Sequence, residues 1–331
     1  MQKIINEPRA FVDEMLEGVL LAHPDALRAA ADRVIVRADA PRPGKVGIVT
    51  GGGSGHLPLF MGYVGFGLAD GVAIGDVFAS PSSEQILEAT RAVDGGAGVL
   101  YLYGNYSGDV MNFDLAAELA LAEGTEVSTV LGADDVASAP AASAARRRGV
   151  AGIAFLYKVA GARAEEGGTL EQVVAVVQRA ETGLRSMGVA LSPCVVPAAG
   201  RPTFSLPAGE MEIGMGIHGE PGVRRGALEP AHQIAEQLVD QIVRDLPYQT
   251  GDEVAVLVNG LGATPQEELY VLYRSVHAAL AGAGLSVRRT WVGEYATSLE
   301  MAGASVSVLR LDEELRRLLD APCESPFVVR R

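Results

Sequence analysis

The sequence has 331 residues, of which 48% are hydrophobic and 21% charged, so it is long enough for two domains with a sizeable core. Its net charge is −14, and no basic run is longer than Arg146-Arg147-Arg148, which excludes an ordinary nucleic-acid-binding surface. Two cysteines far apart, no zinc-ligand spacing, no signal core and no bilayer-length apolar segment together predict a metal-free, cytoplasmic protein away from the membrane.

Hydrophobic periodicity and turn residues predict alternating strands and helices through the first half of the chain. Predicted helices cover residues 8–22, 81–93, 110–123 and 170–187. Predicted strands cover 34–36, 46–50, 70–74, 98–103, 126–131 and 150–157. This alternation predicts an α/β layer architecture, in which ligands bind just beyond the carboxyl ends of the strands.

Prolines at positions 193, 197, 202 and 207 punctuate a helix-free stretch around residues 193–206, which we interpret as the crossing between two domains, 1–186 and 187–331. Beyond it, the pattern predicts helices at 229–245, 265–281 and 312–319, and strands at 254–258, near 287, and at 305–311. The second domain is therefore also predicted to be α/β, and it begins with the glycine-rich stretch around His218.

His218 lies among four glycines in Gly214-Met-Gly-Ile-His-Gly-Glu-Pro-Gly222. Little steric bulk surrounds the imidazole, so another group can approach it closely. The stretch formally contains G-x-G-x-x-G, but a dinucleotide site requires that motif to open a helix, and Glu220-Pro-Gly222 is turn chemistry. A dinucleotide-binding interpretation therefore fails on context.

A second glycine-rich segment, Gly51-Gly-Gly-Ser-Gly-His56, follows a predicted strand. It lacks the Lys-Ser/Thr of a Walker A loop, so it offers neither the cation nor the magnesium ligand of a P-loop. Its main-chain amides could instead receive a small substrate beside His56, although a plain glycine-rich turn is the simpler alternative. We favour the substrate loop because the glycines directly precede a histidine.

Asp109 precedes a predicted helix and is either its N-cap or a general base for a substrate hydroxyl. Asp134 and Asp135 form an adjacent carboxylate pair. Neighbouring residues in extended chain point to opposite sides, so a shared proton is not expected and a loop or helix-cap role is predicted for both.

Taken in order, the motifs resemble those of the substrate-binding (K) subunit of the dihydroxyacetone kinases. The resemblance covers nearly the whole chain. It rests on the following segments: Gly51-Gly-Gly-Ser-Gly-His56, Gly75-Asp-Val-Phe-Ala-Ser-Pro81, Asn105-Tyr-Ser-Gly-Asp109, Ala133-Asp-Asp-Val136, Gly216-Ile-His-Gly-Glu-Pro-Gly222, Val258-Asn-Gly-Leu-Gly262 and Thr297-Ser-Leu-Glu-Met-Ala-Gly303.

The resemblance implies a homodimer of two-domain α/β protomers with mixed sheets flanked by helices. It further implies that His218 captures the ketone of a short ketose as a covalent hemiaminal, and that His56 and Asp109 have acid/base roles. Substrate would also contact Gly53, Ser54, Gly55 and the position of Gly104.

No nucleotide site is predicted on this chain. In the resembled family, ATP, or ADP recharged by a phosphotransferase-system protein, resides with Mg²⁺ on a separate nucleotide-binding (L) subunit or domain. The implied activity is that of a glycerone kinase of carbohydrate and glycerol metabolism, expressed only with that partner.

Three residues depart from the family pattern. Leu57 stands where many members have an acid, Phe60 where they have a histidine, and Gly104 where a lysine commonly contacts the substrate. These differences leave two alternatives to a triose kinase subunit open: a subunit for a larger ketose such as erythrulose or a branched ketose, and a ketose-binding regulator without phosphotransfer.

Overall fold

The computed structural model describes residues 2–330. The chain divides into two compact units, each described by itself here. The first contains the chain up to Gly132, residues 154–179 and the segment from Leu315 onward, whereas the second contains residues 133–153 and 180–314. The proline-rich stretch at 193–206 is internal to the second unit.

The division thus differs from the single boundary predicted at 186/187, which falls inside a strand of the second unit. The units meet along the sequence at four points, 132/133, 153/154, 179/180 and 314/315. Composition could not reveal this, because prolines punctuate loops within a domain as readily as they mark linkers.

The first unit is built on a six-stranded mixed sheet. Its strands are β1 (Leu27–Ala31), β2 (Val34–Arg37), β3 (Gly47–Ser54), β4 (Gly71–Val77), β5 (Val99–Gly104) and β6 (Val127–Gly132), in the spatial order β1-β2-β4-β3-β5-β6. Strands β4, β3, β5 and β6 run parallel, and β1 and β2 pair antiparallel at one side. The carboxyl ends of β3 and β5 therefore lie at the same edge of the sheet.

Five helices belong wholly or largely to the first unit: α1 (Phe11–Ala22), α2 (Ser83–Val93), α3 (Ser107–Ala122), α4 (Ile153–Glu165) and α5 (Leu170–Thr182). Helix α2 begins at a capping box in which Ser82 and Gln85 satisfy each other's backbone N–H groups. One core cluster joins α2 and α3 to the sheet, with Phe113 of α3 packing against Tyr101 and Tyr103 of β5.

Helix α4 corrects a prediction, since residues 150–157 were expected to form a strand. All eight of these residues are buried, and the apolar run carries no polar face from which a period could be recognised. A fully buried helix and a fully buried strand look alike in such a run. Similarly, the helix predicted over 170–187 ends at Thr182, and the chain then enters a strand.

The second unit has its own six-stranded sheet. Its strands are β7 (Leu184–Ser192), β8 (Glu210–Ile213), β9 (Arg224–Ala227), β10 (Glu253–Gly260), β11 (Ser286–Gly293) and β12 (Ala302–Arg310), in the order β11-β10-β12-β7-β8-β9. Only the β10–β11 pair is parallel. Helices α6 (Ala231–Asp245) and α7 (Gln266–Gly282) pack their apolar sides on this sheet and complete its core.

Toward the end of the chain, helix α8 (Glu313–Asp320) leads back into the first unit, where β13 (Cys323–Glu324) and β14 (Val329–Arg330) form a two-stranded ribbon. Lys158 of α4 is fully buried there and donates from Nζ to the carbonyl of Leu318 in α8, at 2.6 Å. This bond satisfies a carbonyl in the last turn of α8. Among residues 2–330, no helix is long and apolar enough to span a bilayer.

Candidate functional site

The glycine-rich segment of the first unit belongs largely to strand β3, which continues through Gly51, Gly52 and Gly53 to Ser54. The Ser54 hydroxyl donates to the carbonyl of Gly75 at 2.9 Å, and the Ser54 carbonyl accepts the N–H of Phe78 at 3.0 Å. The chain leaves the strand at Gly55, whose φ of +100° suits glycine. The predicted loop is therefore shorter than expected and covers only Gly55 and His56.

His56 is buried, with 1% of its surface exposed. Its ring stacks on Phe78 at a centroid distance of 4.9 Å and meets the ring of Phe60 edge-on at 6.1 Å. Both phenylalanines have left-handed backbones, with φ of +65° at Phe60 and +58° at Phe78. Such conformations cost of order 1–3 kcal/mol each and concentrate at functional sites, so the aromatic cage of His56 is held at an energetic cost.

Two of the glycines accommodate this cage. A Cβ at Gly52 would lie 2.3 Å from Cζ of Phe60, and a Cβ at Gly53 would lie 2.6 Å from the backbone N of Ala79. The remaining cavity along residues 52–57 is only ≈ 20 Å³, which is room for about one water molecule. Within the first unit, Phe60 therefore occupies the space beside the glycines.

Gly104 and Asp109 follow the neighbouring strand β5. Gly104 ends that strand and pairs with Gly132 of β6. Helix α3 begins at Ser107 and its N-cap is Tyr106, so Asp109 lies buried in the first turn and is not the N-cap. An anion there is favoured by the helix dipole. The first unit thus brings the glycine segment, His56, Gly104 and Asp109 to one edge of its sheet.

The negative charge of Asp109 affects the pKa of two tyrosines, Tyr103 and Tyr157. Burial, together with the negative charges of Asp114 and Asp109, raises the pKa of Tyr103. Burial and Asp109 likewise raise the pKa of Tyr157, against the effect of its 2.7 Å hydrogen bond with Oγ1 of Thr50. Both phenols therefore stay protonated at neutral pH.

His218 lies in the second unit, in the loop that joins the antiparallel strands β8 and β9. Gly214 has a φ of +81° and turns the chain out of β8, and the N–H of Gly219 closes a turn onto the carbonyl of Gly216 at 3.0 Å. The glycine motif thus connects the two strands of a hairpin and opens no helix. This agrees with the rejection of a dinucleotide site. The imidazole is partly accessible, with 24% of the side chain exposed.

Glu220 orients the imidazole of His218. Nδ1 of the ring lies 3.0 Å from Oε1 of Glu220, and the backbone N–H of His218 donates to Oε2 at 2.9 Å. Burial would raise the pKa of Glu220, but its hydrogen bond to His218 and the positive charges of His218 and Arg148 outweigh burial and lower that pKa to about 2. The carboxylate is anionic at neutral pH, so in the neutral form of the ring Nδ1 carries the hydrogen and donates it to Glu220, which leaves the lone pair on Nε2.

Sequence reasoning singled out His218 and missed Glu220, although Glu220 stands only two residues further along the chain. The missed signal was a carboxylate in a tight turn beside a histidine, the combination that fixes an imidazole tautomer.

The adjacent carboxylates Asp134 and Asp135 have separate structural roles, as predicted. Asp134 is fully buried and accepts the N–H groups of Val150 and Gly152 at 2.9 and 3.0 Å, just before helix α4. Asp135 forms an ion pair with Arg148 at 2.7 Å. Burial raises the pKa of both residues, to about 6 for Asp135 despite the opposing charge of Arg148.

Neither unit contains, among residues 2–330, a group of three His, Cys, Asp or Glu side chains that could hold a metal ion.

Similarity to known proteins extends over nearly the whole sequence. The chain is 47% identical over 315 residues to the dihydroxyacetone-binding subunit DhaK of PTS-dependent dihydroxyacetone kinase 1 from Listeria innocua, and the match covers 95% of each chain. It is 45% identical to the D-erythrulose kinase of Mycolicibacterium smegmatis, covering 98% of this chain and 56% of that protein.

Two solved structures resemble the fold closely. The dihydroxyacetone kinase of C. freundii in complex with AMP-PNP and Mg²⁺ has a TM-score of 0.89 and 32% identity, and the match covers 99% of this chain and 61% of the kinase. The dihydroxyacetone kinase operon co-activator Dha-DhaQ has a TM-score of 0.88 and 33% identity, covering 94% of this chain and 96% of the co-activator. These structures confirm the predicted α/β fold with mixed sheets flanked by helices.

The family model of the Dak1 domain matches residues 17–327. The resemblance drawn from the motifs is confirmed, and the chain belongs to the Dak1 domain family.

Proposed function

We propose that this chain is the ketose-binding subunit of a dihydroxyacetone-type kinase, in which His218 captures the substrate carbonyl. The observation that carries the proposal is the His218–Glu220 pair. An anionic carboxylate 3.0 Å from Nδ1 fixes the tautomer whose lone pair is on Nε2, in a partly exposed and glycine-flanked loop. A neutral imidazole presented in this way is a nucleophile at neutral pH.

The proposed capture is an addition of the neutral His218 ring to the ketone carbonyl. Nε2 forms a bond to the carbonyl carbon, the C=O π pair moves onto oxygen, and that oxygen takes a proton from solvent. The ring keeps its hydrogen on Nδ1 and acquires a positive charge, which the Glu220 carboxylate stabilises through the same 3.0 Å contact. Glycerol has hydroxyls but no carbonyl, so it cannot form this adduct.

His56 and Asp109 are proposed for the acid/base roles that the family resemblance implies. Asp109 would accept the proton of the terminal hydroxyl as the phosphoryl group arrives, and capture would fix that hydroxyl for in-line transfer. Gly53, Ser54, Gly55 and Gly104 are proposed to contact substrate. The hydroxyl of Ser54 already donates to Gly75, so Ser54 would act as an acceptor or through its backbone.

The phosphoryl donor is proposed to sit on a separate subunit. The Listeria relative is named PTS-dependent, which supports a donor recharged by a phosphotransferase-system protein. The C. freundii kinase was solved with AMP-PNP and Mg²⁺, and this chain covers 61% of it. We propose that the nucleotide belongs to the part of such a kinase that this chain does not match. A homodimer of this chain is part of the same proposal.

Three observations favour further candidate substrates and roles. The similarity to D-erythrulose kinase favours a four-carbon ketose as a second candidate. Leu57, Phe60 and Gly104 depart from the family residues at the positions where such a preference would arise. The similarity to the co-activator Dha-DhaQ favours a ketose-sensing role as the third.

The test uses dihydroxyacetone and erythrulose labelled with ¹³C at the carbonyl, with glycerol as the negative control. We expect the carbonyl resonance of the true substrate to be replaced by a protein-bound tetrahedral carbon, and native mass spectrometry to give the mass of the adduct. His218→Ala should abolish both signals, whereas His232→Ala, at an exposed position of α6, should leave them intact. An adduct that persists in His218→Ala would refute the proposal.

A phosphorylation assay distinguishes the role of kinase subunit from that of ketose sensor. The purified chain with ketose and Mg-ATP should give no product, and addition of a nucleotide-binding (L) subunit should start turnover. Turnover by the chain alone would contradict the assignment of the donor to a partner. An adduct without turnover under every donor would favour the sensor.

A further inference from the structure

A partly buried ion pair connects the His218–Glu220 contact to Arg148 within the second unit. Arg148 places Nη1 3.8 Å from Oε2 of Glu220 and donates from Nη2 to the carbonyl of Gly214 at 3.2 Å. Glu220 therefore has one oxygen toward the imidazole and the other toward Arg148 and the backbone of its own loop. The side chain of Arg148 is only 14% exposed, so water screens this charge weakly.

Asp135 holds the opposite side of the Arg148 guanidinium. Nε and Nη2 of Arg148 lie 2.9 and 2.7 Å from Oδ2 of Asp135, and the Asp135 side chain is 4% exposed. Oδ1 of Asp135 accepts the N–H of Ala137 at 3.0 Å, and the backbone N–H of Asp135 donates to the carbonyl of Arg148 at 3.1 Å. Asp135 thus holds the guanidinium of Arg148 through its Nε and Nη2 groups. This limits the rotation of the guanidinium away from Glu220.

The sequence leaves room for this arrangement at Gly216. A Cβ at that position would lie 2.2 Å from Oε2 of Glu220 and 2.5 Å from Nη1 of Arg148. Gly216 does not have a positive φ, so its backbone does not itself demand glycine. The missing side chain is what allows the carboxylate and the guanidinium to approach each other.

We propose that Asp135 and Arg148 are positioning residues that hold the Glu220 carboxylate on Nδ1 of His218 and so keep Nε2 as the attacking nitrogen. The proposal rests on the proposed function of His218, since it explains how the nucleophile is prepared. It assigns an ordered chain of contacts, Asp135 to Arg148 to Glu220 to His218, within one unit. Asp135 and Arg148 touch neither the substrate nor the reacting atoms in this scheme.

The first readout is the tautomer of the His218 ring in the protein without ketose, measured by ¹⁵N–¹H correlation of the imidazoles. The chain has five histidines, so the His218 signals are assigned by their loss in His218→Ala. We expect the wild type to carry its hydrogen on Nδ1. Arg148→Met should move the ring toward the Nε2–H form, and Arg148→Lys, which retains a positive charge, should keep more of the Nδ1–H form.

The second readout is the equilibrium constant for adduct formation with ¹³C-labelled ketose. The hydrogen-bond partners that orient metal-binding histidines typically contribute about 10- to 100-fold. By analogy, we expect a loss of this order for Arg148→Met, with partial recovery in Arg148→Lys. Gly216→Ala should give a comparable loss by pushing the two charged groups apart. Gly226→Ala is its control, because a Cβ there has no neighbour closer than 3.8 Å in the same hairpin.

Arg147→Met controls for general loss of a buried arginine. Arg147 is 1% exposed and pairs with Asp245, its Nη1 lying 2.8 Å from Oδ1. This variant should lower stability yet leave the His218 tautomer unchanged. An unchanged tautomer and adduct constant in folded Arg148→Met and Gly216→Ala would overturn the proposal.

The two readouts also separate this proposal from the proposed function. If the wild type forms no adduct with any ketose, carbonyl capture fails as a function. The tautomer of the His218 ring, measured without ketose, still tests whether Arg148 and Asp135 position the ring. Asp135→Asn should shift that tautomer in the same direction as Arg148→Met, and a ring unaffected by Asp135→Asn would remove Asp135 from the chain of contacts.

Discussion

Gly52 and Phe60 should be energetically coupled, because the ring of Phe60 occupies the space that a side chain at position 52 would need. A Cβ on Gly52 would lie 2.3 Å from Cζ and 2.4 Å from Cε2 of Phe60. Gly52 lies in β3 and pairs with β4, so the backbone cannot easily withdraw. We expect Gly52→Ala to destabilise the first unit by about 1–3 kcal/mol, the usual cost of overpacking.

The double-mutant cycle with Phe60→Ala isolates that clash. Phe60 is 7% exposed, so Phe60→Ala alone should cost about 3–5 kcal/mol. In the Phe60→Ala background the added methyl of Gly52→Ala no longer meets a ring, and its cost should largely disappear. The expected coupling is therefore about 1–3 kcal/mol in favour of the double variant, within the range measured for residues in contact.

The assay must measure the unfolding of the first unit separately, because a chain with two units need not unfold in one step. Native-state hydrogen exchange of peptides that cover residues 47–54 reports β3 directly. Fluorescence of Trp291, the chain's one tryptophan, reports the second unit and should change little. Equal destabilisation by Gly52→Ala in both backgrounds would refute the packing argument.

Gly18→Ala supplies the control for replacing a glycine as such. Gly18 lies inside α1, and a Cβ there would meet no atom within 4 Å. Alanine is favoured over glycine in a helix interior by about 1 kcal/mol. This variant should therefore stabilise the chain slightly, which is the opposite sign to Gly52→Ala.

Two further predictions concern the candidate site. Asp109→Asn should lower phosphorylation with an L subunit by at least ~10²-fold, the usual contribution of a general base, while the ¹³C adduct on His218 still forms; a parallel loss of the adduct would mean that Asp109 holds substrate and is not a base. Because the pKa of Glu220 is lowered to about 2, its contacts stabilise the fold above the ordinary glutamate pKa and are lost as the pH falls toward 2. Unfolding of Glu220→Gln should accordingly depend less on pH between about 5 and 2 than unfolding of the wild type, and identical slopes would contradict the depressed pKa.

Elements with a clear polar side, and buried strands followed by turn residues such as β5 and β10, could be predicted from the sequence, whereas the fully buried start of helix α4 could not. Helices α2, α6 and α7 show an apolar stripe against a charged face, and their predicted bounds differ from the structure by only one or two residues. Helix α4 was taken for a strand because its first turns are buried on every side. The end of α5 was misplaced because Leu184 and Met187 of β7 continue the apolar spacing of the helix, although Gly183 after Thr182 is a helix-stop residue.

The candidate site was predictable to the extent that its chemistry is local in sequence. His56, Asp109 and His218 stand in compact motifs with glycines or turn residues beside them. The contacts that prepare His218 join residues far apart along the chain: Asp135 and Arg148 are 13 positions apart, and Arg148 and Glu220 are separated by 72. No periodicity or motif spacing connects such positions, and only the fold of the second unit brings them together.

Gly52 and Gly216 therefore need a different explanation from the one that the sequence suggests. They were expected to let a ligand approach, yet at Gly52 the space is taken by Phe60, and at Gly216 it is taken by Glu220 and Arg148. In each unit, glycine admits a group of the protein itself, an aromatic ring beside His56 and a charged pair beside His218. Substitutions at the two positions should consequently have different effects. Gly52→Ala should change packing and stability, whereas Gly216→Ala should change the protonation of Nδ1 of His218. A ligand-access role would predict neither difference, because an added methyl would then hinder binding in both cases and leave the ketose-free protein unchanged.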